Sequence, residues 1–292
     1  LTILVKYFLS ILILQIGFSQ VFQSIPPYSL RNNLDNLYPS ISLPYVNRDH
    51  LIEEDIFRPL AKPKRYGFKH QLNYSPNNSG IWTETEDGGK LWQLKFISKN
   101  AYAISIEYEN FNLPEGSELF IYNQDYEMVF GAYTVKNNSN EGYFSSPLIK
   151  GDVAIIEYYK PKEVDDNVSF TIKEIIHDYR DIMNYYPDYD RDWECGINVI
   201  CEDRDMYQDP INSTAFLDMG GFICSGSMVN NVRQDLTPYF LTAWHCIEGD
   251  NPSTFRFYFS KEASSCDQTW ANSGPYAYGS NLVADSNGIP GG

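Results

Sequence analysis

His245 closes the apolar run Tyr239-Phe240-Leu241-Thr242-Ala243-Trp244 and is followed at once by Cys246. A histidine at the end of a strand-like run, pinned by a neighbouring cysteine, is placed to act as a general base. Imidazole takes up and returns a proton near neutral pH, and a hydroxyl nucleophile needs that ring held to a fraction of an ångström. Upstream, Phe222-Ile223-Cys224-Ser225-Gly226-Ser227-Met228-Val229 is a second strand-like run with its own cysteine. The two runs read as neighbouring strands joined by a disulfide. Two blander readings use the same residues: a buried, satisfied histidine beside a structural cysteine, and a zinc ligand. The zinc reading lacks a second Cys/His pair at metal-ligand spacing. The matching cysteine strand and the export signal described below favour the base.

The segments Cys224-Ser225-Gly226-Ser227-Met228-Val229 and Leu241-Thr242-Ala243-Trp244-His245-Cys246 resemble the Cys-Gly-Gly-Ser-Leu-Ile and Leu-Thr-Ala-Ala-His-Cys segments of trypsin-like serine proteases. The loop between them, with Asn230-Asn231 and Thr237-Pro238-Tyr239-Phe240, is similar to that of the bacterial lysyl-endopeptidase branch. The resemblance runs from roughly Cys195 to Ala284. It implies that His245 is the catalytic base, that Cys224 pairs with Cys246 and Cys201 with Cys266, and that Cys195 reaches a cysteine far downstream. Family members place the triad carboxylate after a strand, in an Asp-Phe-Xaa-Leu-Leu setting, and the nucleophile much later in Gly-Xaa-Ser-Gly. Asp285 precedes Ser286 and not an apolar strand, and no Gly-Xaa-Ser-Gly follows His245. Ser225 and Ser227 occupy positions the family uses structurally. The expectation is therefore the amino-terminal portion of a longer protease, inactive as it stands, with the catalytic serine and aspartate beyond residue 292.

A chain of 292 residues suffices for two cores. The formal net charge is −16 and the isoelectric point near 4.6. That balance argues against nucleic acid or an anionic membrane as partner, since phosphate binding needs clustered Lys and Arg. The 23 Tyr, 17 Phe, 16 Pro and 19 Gly favour strands and turns. All five cysteines, Cys195, Cys201, Cys224, Cys246 and Cys266, fall in the last third, which marks a separate disulfide-stapled domain.

Five segments follow from the pattern. Residues 1–19 read as a signal peptide, an apolar run ending near Ser19-Gln20, with a membrane anchor as the alternative. Residues 20–79 read as an extended leader punctuated by prolines, whose basic cluster Lys62, Lys64, Arg65 and Lys69 cancels against Glu53, Glu54 and Asp55 on a solvated surface. Residues 80–177 alternate with period two: Trp92, Leu94 and Phe96, then Tyr102, Ile104, Ile106 and Tyr108, each set placing one face on a core. Further runs at 118–122, 128–135, 152–159 and 168–172 predict a β-sandwich. His177 at its edge reads as surface decoration. Residues 178–194 read as a linker, with Arg180 and Arg191 as candidate maturation sites. Asp188, Asp190 and Asp192 open like a calcium loop, but Trp193 and Val199 stand where its glycine and glutamate belong. Residues 195–292 form the protease-like part, with strands expected at Phe255–Phe259 and Asn281–Ala284.

The fold expected is all-β, a propeptide-like sandwich followed by the first part of a trypsin-like double β-barrel. By the resemblance, the sandwich assists folding or holds the protease inactive in cis, and the partners are polypeptide substrates, cut after Lys if the branch preference holds. The expected setting is secreted and extracellular, without stable membrane association once the signal is removed and without nucleic acid. This chemistry requires no cofactor and no metal. The alternative from a different class is a noncatalytic secreted β-protein, a pseudoprotease or adhesin-like binding module.

Overall fold

The computed structural model describes residues 25–34, 38–59, 61–164, 169–184, 199–201, 204–263, 265–266 and 275–284. The amino-terminal apolar run, Cys195, Arg191, the Asp188–Asp192 loop and Asp285 lie outside them. The described chain is predominantly β-strand with short helices, the all-β class that the alternation predicts.

Helix α1 (Tyr28–Arg31) and strand β1 (Ser40–Ser42) precede α2 (Arg48–Ile56). Among the described residues eleven further strands follow in the amino-terminal two-thirds: β2 (Lys64–Arg65), β3 (Gly67–Tyr74), β4 (Ile81–Glu84), β5 (Lys90–Ile97), β6 (Ala103–Asn112), β7 (Glu118–Tyr122), β8 (Val129–Tyr133), β9 (Phe144–Ser145), β10 (Ile149–Lys150), β11 (Val153–Lys160) and β12 (Ser169–Asp178). One sheet runs β1-β5-β11-β7-β8, with β4 on β5, and a second runs β10-β6-β12-β3, with β9 on β6. Register sets the core: Trp92, Leu94 and Phe96 lie opposite Tyr158, Ile156 and Ala154. Those residues pack with Ile104, Ile106, Ile172 and Ile175 of the second sheet in one buried cluster. Trp92 is fully buried, and its indole N–H donates to Ser79 O at 2.8 Å, so a large apolar ring enters the core without stranding its polar atom.

Four features differ from the sequence reading. On β6 the intervening residues Ser105 and Glu107 are also buried, while Tyr102 is 39% exposed. A third sheet covers the face that alternation assigns to solvent. Much of the stretch read as an extended leader is structured, because β3 pairs along β12 and β1 adds parallel to β5. His177 is no surface decoration: it is 2% exposed, and Ser98 Oγ lies 2.7 Å from its Nδ1. The linker's first residues are packed too, since Tyr179 and Ile182 are buried and the Asp178 carboxylate accepts Arg180 N and Ile182 N, each at 2.8 Å.

The third sheet comprises β13 (Thr214–Asp218), β14 (Phe222–Val229), β15 (Tyr239–Thr242), β16 (Arg256–Phe259) and β17 (Tyr276–Tyr278), preceded by α3 (Gln208–Ser213). Its order is β15-β14-β13-β16-β17, and β2 (Lys64–Arg65) adds to β14. The expected strand at Asn281–Ala284 is replaced by β17. Tyr276 is 9% exposed, whereas Leu282 and Val283 are 51% and 73% exposed, so the tyrosines and not the aliphatic run find a core. Among the described residues no helix is long and apolar enough to cross a membrane.

Candidate functional site

β14 and β15 form an antiparallel pair, with Gly226 opposite Thr242 and Val229 opposite Tyr239. Gly226 is required here: a Cβ would meet the Leu241 carbonyl and the Phe240 ring. Thr242 Oγ1 donates to Ser225 O at 2.8 Å, closing the last step of the pair. The chain then leaves the sheet through Ala243 into one turn of 3₁₀ helix, Trp244–Cys246, tied by Cys246 N to Ala243 O at 3.0 Å. Cys246 is buried and bridged to Cys224 in the apolar cluster of Leu217, Met219, Phe255 and Phe257. His245 sits between an anchored strand end and an anchored cysteine, and its own side chain is exposed. Rigid support with an accessible ring is the arrangement a proton shuttle needs.

The Cys201–Cys266 bridge is also present, so both described pairs are those the resemblance implies. Ligand atoms of Cys224, His245 and Cys246 gather within 4.8 Å. Two of the three sulfur and nitrogen donors are spent in a disulfide, which leaves no thiolates to hold zinc. Among the described residues His245 makes no hydrogen bond or ion pair. Ser227 Oγ lies 2.9 Å from Ser213 Oγ. Neither a nucleophile nor an orienting carboxylate is therefore assembled on His245 by these residues. An open cleft lined by Asp209, Met228, Leu236 and Pro238 lies at the other end of the hairpin, where β14 finishes and β15 begins.

Buried polar clusters hold the two-sheet lobe and the third sheet together, and sequence reasoning missed them. Asp218 and Arg256, on paired strands β13 and β16, are 0% exposed. Arg256 Nε donates to Asp218 Oδ2 at 3.0 Å, and its Nη1 reaches Ser145 Oγ and Ser146 O across the seam, each at 2.5 Å. Tyr66 O–H donates to Asp218 Oδ1 at 2.8 Å, and Tyr66 N and Gly67 N both donate to Gly221 O. Lys62 pairs with Glu248, three residues after His245. Inside the two-sheet lobe, burial and the nearby His70 ring hold His177 down at about 4. A sequence signal existed only for the strand alternation that carries these groups.

Residues 190–288 match the family model described as lysyl endopeptidase, C-terminal domain. The chain is similar to a lysyl endopeptidase of Pseudomonas aeruginosa, 23% identical over 184 residues, which cover 57% of this chain and 39% of the relative. The chain thus spans about two-fifths of the length of that curated relative. Among solved structures, an isomalto-dextranase of Arthrobacter globiformis bound to panose aligns over 41% of this chain and 24% of its own, at 10% identity and a TM-score of 0.17, a value that carries no argument about fold or function.

Proposed function

We infer that this polypeptide is the amino-terminal portion of a secreted serine endopeptidase precursor. The observation that carries this reading is His245, exposed on a turn that the Cys224–Cys246 bridge fixes, within the segment that matches the lysyl endopeptidase family model. In this reading His245 takes the proton of a serine lying outside these 292 residues and returns it to the leaving amine, while an aspartate also outside them sets the tautomer of the ring. Residues 1–19 export the chain, and the two-sheet lobe serves as a propeptide-like domain in cis. Substrates are polypeptides, with cleavage after Lys as the preference the relative's name suggests. No cofactor enters the mechanism.

A fluorophosphonate probe tests it. The 292-residue polypeptide should remain unlabelled, whereas the protein expressed from the extended reading frame should be labelled at a serine in a Gly-Xaa-Ser-Gly setting. In that longer protein His245→Ala should lower kcat/KM roughly a million-fold. Robust labelling of the shorter polypeptide would place the nucleophile within these 292 residues and overturn this reading, whereas an extension without any such serine would leave the binding-module reading in its place.

A further inference from the structure

Glu107 and Glu174 stand directly opposite each other on β6 and β12. Both are buried, 6% and 9% exposed. Like charges in that position repel, and burial strips away the water that would screen them. Lys69 on β3 brings its Nζ to 3.2 Å from Glu174 Oε2, and Gln71 Nε2 donates to Glu174 Oε1 at 2.7 Å. Glu107 Oε1 has no hydrogen-bond partner among the described residues. Its cover comes from the third sheet: Gly220, in the β13–β14 turn at φ +65°, lies so close that a Cβ there would collide with Glu107 Oε1 and sit 3.6 Å from Lys69 Nζ.

The other charged groups facing this cluster are Asp218, Arg256 and Asp250, all from the third-sheet side. Asp218 and Arg256 neutralise each other through their own ion pair. Glu107, Glu174 and Asp250 are then left to share Lys69. Three negative charges and one positive charge make a poor seal, and a single proton on Glu107 both reduces the imbalance and supplies a donor for Glu174.

We propose that the Glu107–Glu174 pair is a proton-operated latch between the two-sheet lobe and the third sheet. With one proton shared across the pair the β13–β14 turn stays seated, and loss of that proton lifts the turn. Burial pushes Glu107 up to about 7, with Lys69 and Arg256 opposing and Glu174 and Asp218 adding. Burial acts upward on Glu174 as well, but Gln71 and Lys69 outweigh it and hold that carboxyl below its ordinary value, so the proton resides on Glu107. A carboxyl raised in the seated state binds its proton more tightly there than when the turn is lifted. Seating is therefore fully favoured below the ordinary value of 4.5 and loses that advantage as pH rises through about 7. One proton moves the equilibrium by at most tenfold per pH unit inside that window. The latch stands whether or not His245 catalyses anything.

Hydrogen exchange on the 292-residue chain, corrected for intrinsic rates and compared between pH 5 and pH 8, reads the seating of segments 64–69 and 214–229. Wild type should lose protection there as pH rises, while Glu107→Gln should hold the same protection at both values. Glu174→Gln removes the repelling neighbour and should move the midpoint of the loss to lower pH. Glu109→Gln, on the same strand but partly exposed and paired with Lys173, should leave the profile of wild type. Protection independent of pH in wild type, or an unchanged pH slope in both Glu107→Gln and Glu174→Gln, overturns the proposal.

Discussion

Replacing Arg256 by methionine removes a cation with no exposed surface and leaves its carboxylate partner in place. Arg256 Nε donates to Asp218 Oδ2 at 3.0 Å, Nη2 lies 2.9 Å from the same oxygen but off a hydrogen-bonding axis, and Nη1 serves Ser145 Oγ and Ser146 O. Asp218 would keep two donors, Tyr66 O–H at 2.8 Å and Gly220 N at 3.0 Å, both on Oδ1. Its charge would be only half answered, and the two seryl acceptors across the seam would be stranded. Breaking a buried pair from one side costs about 3–5 kcal/mol, and the lost seam bonds fall within the same figure because they share the guanidinium. With a urea dependence of about 2 kcal/mol per molar, the unfolding midpoint of the third sheet should fall by about 2 M. Equilibrium unfolding followed by exchange of the β13 amides would report that sheet separately from the rest. The double change Arg256→Met with Asp218→Leu removes both charges and should recover most of the loss. A single variant within about 1 kcal/mol of wild type, or a double variant no better than the single, would refute this account of the seam.

Removing the Cys224–Cys246 bridge by paired alanine substitution frees a loop with a sequence separation of 22 and should cost about 3 kcal/mol, against about 4 kcal/mol for Cys201–Cys266 with its separation of 65. Unfolding midpoints of the two variants should rank in that order, and the reverse order would contradict the loop-length argument. The depressed His177 implies a loss of stability in acid: its neutral form is favoured in the folded lobe, so stability is complete above the ordinary 6.5 and declines as pH falls through about 4. Melting of His177→Gln between pH 7 and 4 should show a shallower acid slope than wild type, and an identical slope would remove His177 as its source.

Legibility followed the local signal. Strand β7 falls on the residues 118–122 that alternation and turn chemistry mark, and β5 buries the Trp92, Leu94 and Phe96 face it promised. β3 carries a weak mark although Phe68, His70, Leu72 and Tyr74 alternate with polar residues, because His70 reads as polar and flanking prolines read as a leader. His70 is in fact 5% exposed. The β17 error has a related cause: Leu282-Val283 looks more strand-like than Tyr276-Ala277-Tyr278, yet only the tyrosines have partners, Tyr278 O–H accepting from Asn137 Nδ2 at 2.7 Å and its ring meeting Phe144 at 5.3 Å. At the site, the His-Cys signature located the histidine-bearing turn. Glu107, Asp218 and Arg256 carried no comparable mark. A polar residue on a strand is assigned to solvent unless the covering element is known, and here that element is over a hundred residues away in the chain.

The pairing of β2 with β14 has a consequence for biosynthesis. Translation delivers β1, then Lys64–Arg65 and the rest of the two-sheet lobe, before the first residue of β13 leaves the ribosome. The last strands thus arrive at a template that already presents Tyr66, Ser145 and Ser146, and the long-range Cys201–Cys266 crosslink can close only after that docking partner has been made. Reversing the gene order, so that residues 199–284 emerge first, would ask an open sheet with an unanswered arginine to wait for its mate.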